Sequence, residues 1–572
     1  MPTPSWRAEG NTAQSVIREL WADPARSEIP CTYGTSVSEN REIRRSPVQS
    51  ASEMGVVPTG RGAGGPLGEG DCRKPEMHER RKSDRPVVPS SPPNKPGSPG
   101  AEAVEGRGLA KGNTASKTRS GHCAGEGVSS ALDRVRRAAR KDKEVRFTAL
   151  LHHVTVDRLR SAYEALRRDA AAGVDGVSWQ DYGQDLEENL RDLHARVQRG
   201  GYRARPSRRV YIPKADGRRR PLGVAAVEDK VLQRAVVEVL NAVYEADFRG
   251  FSYGFRLGRS PHDALDALAV AIERKKVNWI LDADIHNFFG SLDFGWLEKF
   301  LEHRIADRRM LRLIGKWLKA GVIEDGEWSE TVQGTAQGAS VSPLLANVYL
   351  HYVFDLWADR WRRRHARGDV ILVRFADDYI AGFQHRDDAE RFLADLRDRL
   401  AKFSLELATE KTRLIEFGRY AARDRSARGL GRPETFPFLG FTHICAKDGR
   451  GRFMVKRITI SKRMRAKLAE VKDELKLRRH HPIPEQGQWL ASVVRGHFAY
   501  YAVPGNGHAL FAFRGQVARH WRRALRHRSQ RTRLDWERMD RLATRWLPPA
   551  RIQHPWPNKR FDARTQGRSP VR

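Results

Sequence analysis

The chain has 572 residues, with 104 Lys and Arg against 70 Asp and Glu and a formal net charge of +34. Such an excess of positive charge points to a polyanionic partner, because each cation that meets a phosphate releases condensed counterions. A helical membrane span is excluded, since no run reaches the roughly 18 consecutive apolar residues needed to cross a bilayer, and the four scattered cysteines (Cys31, Cys72, Cys123 and Cys445) exclude a disulfide framework or a paired zinc site.

Residues 1–125 are crowded with Gly, Pro, Ser, Arg and Glu, as in GRGAGGPLGEGD and VVPSSPPNKPGSPG. Without a sustained period they cannot bury enough apolar area to offset ordering entropy. A disordered extension or translated leader is expected there. The first 30 residues also lack a signal-peptide core, so an intracellular protein is expected. Order is expected from near Ser129, where basic faces alternate with Leu, Val and aromatic residues as far as Trp179. This pattern predicts two or three short helices broken at Gly173 and Gly176. Their basic faces suit either solvent or an RNA backbone.

From Arg208 to Phe417 the pattern is mixed. RRVYIPKADGRRRPLGV predicts two strands around a turn at Asp216–Gly217. EDKVLQRAVVEVLNAVYEADF predicts a helix with Val231, Leu232, Ala235, Val236, Val239, Leu240 and Val243 on one face. VNWILDADIHNFF predicts a buried strand entering a turn, and ILVRFADDYIAGF a hairpin with Asp377 and Asp378 at its tip. The next helix carries Phe392, Leu396, Leu400 and Phe403 on one face. From about Arg457 onward the pattern is helical and basic, with Trp489, Trp521, Trp536 and Trp546 among the arginines. Each tryptophan suits either the core of a helical bundle or stacking on a base.

Among so many basic residues, Asp282, Asp284, Asp377 and Asp378 stand out. An Asp-Asp pair alone is more often a solvated turn. Two such groups brought together repel, by about 4 kcal/mol at ~4 Å in an intermediate dielectric, unless a cation lies between them. Hard oxygen ligands of this kind select Mg2+ or Mn2+. A pair of these ions can drive an in-line phosphoryl transfer.

Eight blocks in order, RVYIPKADGRRRPLGV, EDKVLQRAVVEVL, FSYGFRLGRSPHDAL, LDADIHNFF, GTAQGASVSPLLANVYL, VRFADDYIAGF, EKTRLIEF and FPFLGF, resemble the reverse-transcriptase blocks of bacterial group II intron-encoded proteins. The tail segments RGHFAYYAVPGN, WRRALRHRSQR and WLPPARIQHPWPNKRF resemble the maturase region of that family. The resemblance covers residues 129–565. It implies an α+β right-hand polymerase of fingers, palm and thumb followed by a helical maturase domain. The expected divisions are a disordered or leader extension at 1–125, a helical fingers extension at 126–205, fingers and palm at 206–442, and thumb with the maturase RNA-binding region at 443–572.

The resemblance also implies roles. Asp284, Asp377 and Asp378 match the catalytic metal ligands, with Mg2+ expected and Mn2+ as the substitute, while Asp282 has no ligand role in the family. Phe289 matches the bulky group that would clash with a ribonucleotide 2'-hydroxyl. Lys214 and Arg220 match the finger cations that neutralise an incoming triphosphate, and Gln337 matches the glutamine beside the nucleotide. Gly338 is expected to let the template backbone approach closely. Four positions depart from the usual pattern: Phe375 for Tyr, Ala336 for Pro, Gly290 for Asp, and Leu257 for Pro.

The function implied is RNA-directed DNA polymerase and intron maturase. Its expected partners are group II intron RNA, an RNA template with a DNA primer, dNTPs and a DNA target, in a ribonucleoprotein of the bacterial cytoplasm and nucleoid. The tail carries no paired Cys and His of an endonuclease, so cleavage of target DNA is not expected. Gly290 and Ala336 motivate a second reading, an RNA-binding splicing factor whose polymerase has decayed. A third is a reverse transcriptase repurposed for phage defence or a CRISPR locus.

Overall fold

The computed structural model describes residues 126–213, 219–324, 327–330, 333–334, 338–529 and 533–565. The expectations for 1–125, the Asp216–Gly217 turn and Ala336 lie outside the described residues, as do those for Lys214, Gln337, Cys31, Cys72 and Cys123.

Eleven strands are described: β1 (Ser207–Pro213), β2 (Arg219–Val224), β3 (Trp279–Ala283), β4 (Val322–Glu324), β5 (Glu327–Ser329), β6 (Val370–Phe375), β7 (Asp378–Phe383), β8 (Arg413–Glu416), β9 (Phe436–Phe438), β10 (Phe441–Lys447) and β11 (Phe453–Thr459). They form three sheets, ordered β2-β1-β4-β5, β6-β7-β3-β8 and β11-β10-β9.

The first sheet contains the predicted basic hairpin, with Val210 opposite Leu222. Before it come the helices Glu126–Lys141, Val156–Glu164 and Leu186–Arg199, within the stretch expected to be helical. Gly173 separates two of them for a packing reason, since a Cβ there would come 2.5 Å from the Ala226 Cα. The predicted helix forms over Val227–Tyr244, with Glu228 and Asp229 in its first turn, where acids complement the helix dipole. All seven predicted apolar residues are buried, and Gln233 and Asn241 on other faces are buried too, so this helix is enclosed.

The second sheet is antiparallel throughout and has Ile280, Ile371, Val373, Ile380 and Ile415 in one apolar cluster. The helix Pro261–Arg274 covers that face through Leu265 and Leu268. It starts at a capping box, in which Ser260 accepts from the Asp263 amide and Asp263 accepts in return. On the helix Arg386–Ala401, Phe392, Leu396 and Leu400 are buried as predicted, and Phe403 just beyond it is buried as well.

One expectation is corrected at the tail. Arg457 lies in β11, opposite His443 of β10, and is buried against Asp266, so the helices begin only at Ser461. The alternating pattern of FMVKRIT outweighs its basic content, because Val455, Arg457 and Thr459 turn inward together. β10 runs through the boundary expected after residue 442. The helices Ser461–Leu477, Ile483–Tyr501, Gly507–Arg526 and Trp536–Trp546 then pack around a separate cluster. Trp521 is fully buried there and donates Nε1–H to Gln486 Oε1 at 2.8 Å, while Trp489 and Trp546 are partly buried against it. Trp536 is exposed, with Arg522 over its ring at 4.4 Å. The last helix, Pro557–Thr565, returns to the helix Pro261–Arg274 and places Phe561 in the cluster beneath the second sheet.

Candidate active site

β3, β6 and β7 end together, and their register sets which acids become neighbours. In the antiparallel β3–β7 pair Asp282 faces Ile380 and Ala283 faces Tyr379. Asp284 follows β3 directly and Asp378 opens β7, and the charge of Asp284 acts on Asp378. β6 and β7 close with Phe375 opposite Asp378, so Ala376 and Asp377 form the hairpin loop. Ala376 has φ of 57°, the conformation that tight hairpin loops need at their first position. The structure therefore gathers Asp284, Asp377 and Asp378 at one sheet end.

The electrostatics follow from that crowding. Burial raises the Asp377 carboxyl above the usual range, and the charge of Asp284 raises it further, against the pull of Arg220 and Lys411. Asp378 is pushed up to about 7 by desolvation first, then by Asp377, Asp284 and Asp282. Its side chain is nevertheless exposed. Of these causes, the neighbouring carboxylates are the part that a cation can reverse. Lys411 forms an ion pair with Asp284, and Arg413 of β8 pairs with Asp282 at 3.2 Å.

Among the described residues no group of three or more His, Cys, Asp or Glu side chains is placed to hold a metal ion. The donor set still suits a hard divalent ion. Three carboxylates share one sheet end, and the Lys411 ammonium stands on one of them, Asp284, as a cation would.

Arg220 is on β2 and interacts electrostatically with Asp377. Phe289 is half-buried, edge-on to Phe288 at 5.4 Å. Gly338 has φ of 113°, and a Cβ there would meet the Gly223 carbonyl at 2.7 Å. The close approach at Gly338 is thus to the β2 backbone. Phe375 keeps its ring among apolar neighbours, 6.5 Å from Phe255, and Leu257 is exposed. Gly290 has a local reason: a side chain there would come 2.4 Å from Asn287 Nδ2, and a Cβ on Gly334 would lie 2.8 Å from the Gly290 Cα.

Sequence reasoning missed three features. Lys411 in EKTRLIEF carries the charge that meets Asp284, and Arg463, at the start of the helix after β11, adds positive potential at Asp378. Arg374 and Asp355 form a buried pair directly behind the acidic loop. An arginine inside the apolar strand VILVRF was the available signal, since an unpaired charge cannot remain there.

Residues 212–443 match the family described as Reverse transcriptase (RNA-dependent DNA polymerase). Protein YkfC of Escherichia coli K12 is 34% identical over 200 residues, 34% of this chain and 52% of that protein. The group II intron-encoded protein LtrA of Lactococcus lactis subsp. cremoris is 34% identical over 222 residues, 38% of this chain and 37% of LtrA. An uncharacterized 91 kDa protein in the cob intron of Schizosaccharomyces pombe is 40% identical over 189 residues, 32% of this chain and 23% of that one. The chain thus spans about half the length of the first relative and less of the other two.

Proposed function

From a chain that carries a reverse transcriptase domain over residues 212–443 and is related to group II intron-encoded proteins, we propose an RNA-directed DNA polymerase that also binds its intron RNA to assist splicing and mobility. The observation that carries this reading is that Asp284, at the end of β3, acts electrostatically on Asp377 and Asp378, at the turn between β6 and β7.

In this reading Asp284, Asp377 and Asp378 would hold divalent ions, Mg2+ or Mn2+, and the chemistry supplied there would be activation of a primer 3'-hydroxyl and charge compensation at the leaving pyrophosphate. Arg220 and Lys214 neutralise the incoming triphosphate, and fixed cations suit that task. Phe289 excludes a 2'-hydroxyl, and Gln337 donates to the sugar or base edge. Lys411 answers the charge of Asp284. The basic helices from Ser461 onward track the phosphates of intron RNA, with exposed Trp536 available for a base. The partners are then intron RNA, primed RNA template, dNTPs and a DNA target, in a bacterial cytoplasmic ribonucleoprotein. Among the described residues no helix is long and apolar enough to cross a membrane.

Gly290 does not favour the decayed-polymerase reading. A Cβ at this position would meet the Asn287 side chain, so a glycine here has a local packing reason. The decisive experiment is primer extension on an RNA template with Mg2+, comparing dNTPs with rNTPs. Extension by dNTPs that Asp377→Ala abolishes supports the reading. A wild-type protein without extension, or extension indifferent to Asp377→Ala, overturns it.

A further inference from the structure

Behind the acidic loop, the Arg374 side chain is 1% exposed and its partner Asp355 is 0% exposed. All five guanidinium N–H groups are used. Nε and Nη2 donate to the two Asp355 oxygens at 2.7 and 2.6 Å, and Nη2 also donates to Ser252 Oγ at 2.7 Å. Nη1 donates to Asn347 Oδ1 at 3.0 Å and to the Ala376 carbonyl at 2.9 Å. Ala376 is the loop residue next to Asp377, held at φ of 57°, a conformation that an L side chain disfavours. Asp355 closes the π-turn His351–Asp355, an irregularity that re-aims side chains within a helix. Asn347 in turn donates Nδ2–H to the Gly254 carbonyl at 2.8 Å, which ties the loop to the segment behind it.

If this position only had to fill the core, an apolar residue would serve as well or better, because buried ion pairs seldom add net stability. What the guanidinium supplies is geometry: a planar fork fixed bidentately by Asp355, with one of its three other N–H donors aimed at the loop backbone. We propose that Arg374, locked by Asp355, is a positioning residue that holds the Ala376–Asp377 loop in the conformation that binds divalent cations. The inference rests on the metal-dependent polymerase reading above. Arg374 touches neither substrate nor ion. Its effect passes through the Ala376 carbonyl to Asp377.

The test uses the full chain and Mn2+ as the probe. Mn2+ binding without nucleic acid is measured by paramagnetic resonance and referenced to Asp377→Asn, which removes the specific component. Thermal unfolding, primer–template affinity and the Mg2+ dependence of extension are measured in parallel. For folded Arg374→Lys, which keeps the charge but loses the fork, we expect ~10–100-fold weaker Mn2+ binding, the usual range for supporting groups around a metal site, and a matching rise in the Mg2+ needed for half-maximal extension. Primer–template affinity stays unchanged, whereas a general loosening of the core would alter it too. Ser252→Ala removes one neutral hydrogen bond to Arg374 and covers the case in which Arg374→Lys does not fold. It is expected to weaken Mn2+ in the same direction by a smaller factor. Wild-type Mn2+ affinity in folded Arg374→Lys, or in Ser252→Ala if the first is unfolded, overturns the inference. A wild-type chain that neither binds Mn2+ at Asp377 nor extends a primer instead overturns the function beneath it.

Discussion

Gly254 and Ala376 are in backbone contact: a Cβ on Gly254 would come 2.2 Å from the Ala376 amide nitrogen and 2.9 Å from the Phe375 carbonyl carbon. The segment FSYGFR is thus the back wall of the acidic loop, held there by Tyr253 N–H donating to the Arg374 carbonyl at 2.8 Å and Arg374 N–H to the Phe251 carbonyl at 2.9 Å.

Gly254→Ala should therefore push the loop forward. Overpacking against backbone costs about 1–3 kcal/mol, and an ångström-scale displacement of Asp377 should slow extension by about 10²-fold. Unfolding curves and primer extension read both effects. A stable, fully active Gly254→Ala protein would show that the contact does not constrain the loop.

Gly290 and Asn287 should behave as a coupled pair. Gly290→Asp sets a side chain 2.4 Å from Asn287 Nδ2 and should destabilise by about 1–3 kcal/mol. Adding Asn287→Gly removes the obstruction and relieves a residue held at φ of 42°, so the double variant should recover most of the loss. A double-mutant cycle in urea measures it, and strict additivity would refute the coupling.

Contacts between the last helix and the helix Pro261–Arg274 should differ in strength according to burial. Asp266 pairs with Arg457 at 2.7 Å, both 1% exposed, and with Arg560 at 2.8 Å. Asp266→Ala strands a buried guanidinium and should cost about 3–5 kcal/mol. The Arg274–Asp562 pair is 50% and 47% exposed, so Arg274→Ala should cost under about 1 kcal/mol. Equal losses in chemical denaturation would contradict this ranking.

Acid should destabilise the fold through buried histidines. His443 is stacked on Phe436 at 4.7 Å, faces Arg457 across the β10–β11 pair and has its pKa lowered from 6.5 to about 3, chiefly by burial and then by Arg457. Its folded value lies below its unfolded one, so the unfolded chain binds the proton first. Stability is full above pH 6.5 and falls as pH drops toward 3, by ~1.4 kcal/mol per pH unit for each such proton. His497, also lowered to about 3 and stacked on Phe513 at 3.7 Å, adds to the same window. His443→Phe keeps a ring for stacking and should reduce the slope between these limits by about one proton. An unaltered slope would mean that His443 charges in the folded state.

Phe289→Ala should raise rNTP incorporation relative to dNTP by ~10-fold or more, the scale on which losing a steric block relaxes discrimination. Competition between the two nucleotide classes on one primed RNA template measures it. An unchanged ratio removes Phe289 from the gate.

The parts of the fold that could be read from the sequence share a physical origin. In the helix Val227–Tyr244 the apolar residues recur at 3.6-residue spacing, and in ILVRFADDYIAGF two β-rich arms flank a polar centre. Both signals are local, and both elements form as expected. Arg457 is expected to open the helical tail because its charge resembles that of the helices that follow, whereas it lies in β11. What distinguishes them is inward or outward direction, which depends on Asp266 lying across the gap.

The same division holds at the site. The amino-acid sequence by itself determined which residue types stand in the acidic blocks, their order and the family they resemble, because short motifs and periodicity are properties of neighbouring residues. Only the tertiary structure decided that Lys411 answers Asp284, that Asn287 occupies the space beside Gly290, that Arg374 reaches the Ala376 carbonyl, and that the last helix docks on Asp263 and Asp266. Those partners come from separate elements. Contacts of that kind are selected by burial, register and the need to satisfy every buried charge, conditions that exist only once the chain has closed on itself.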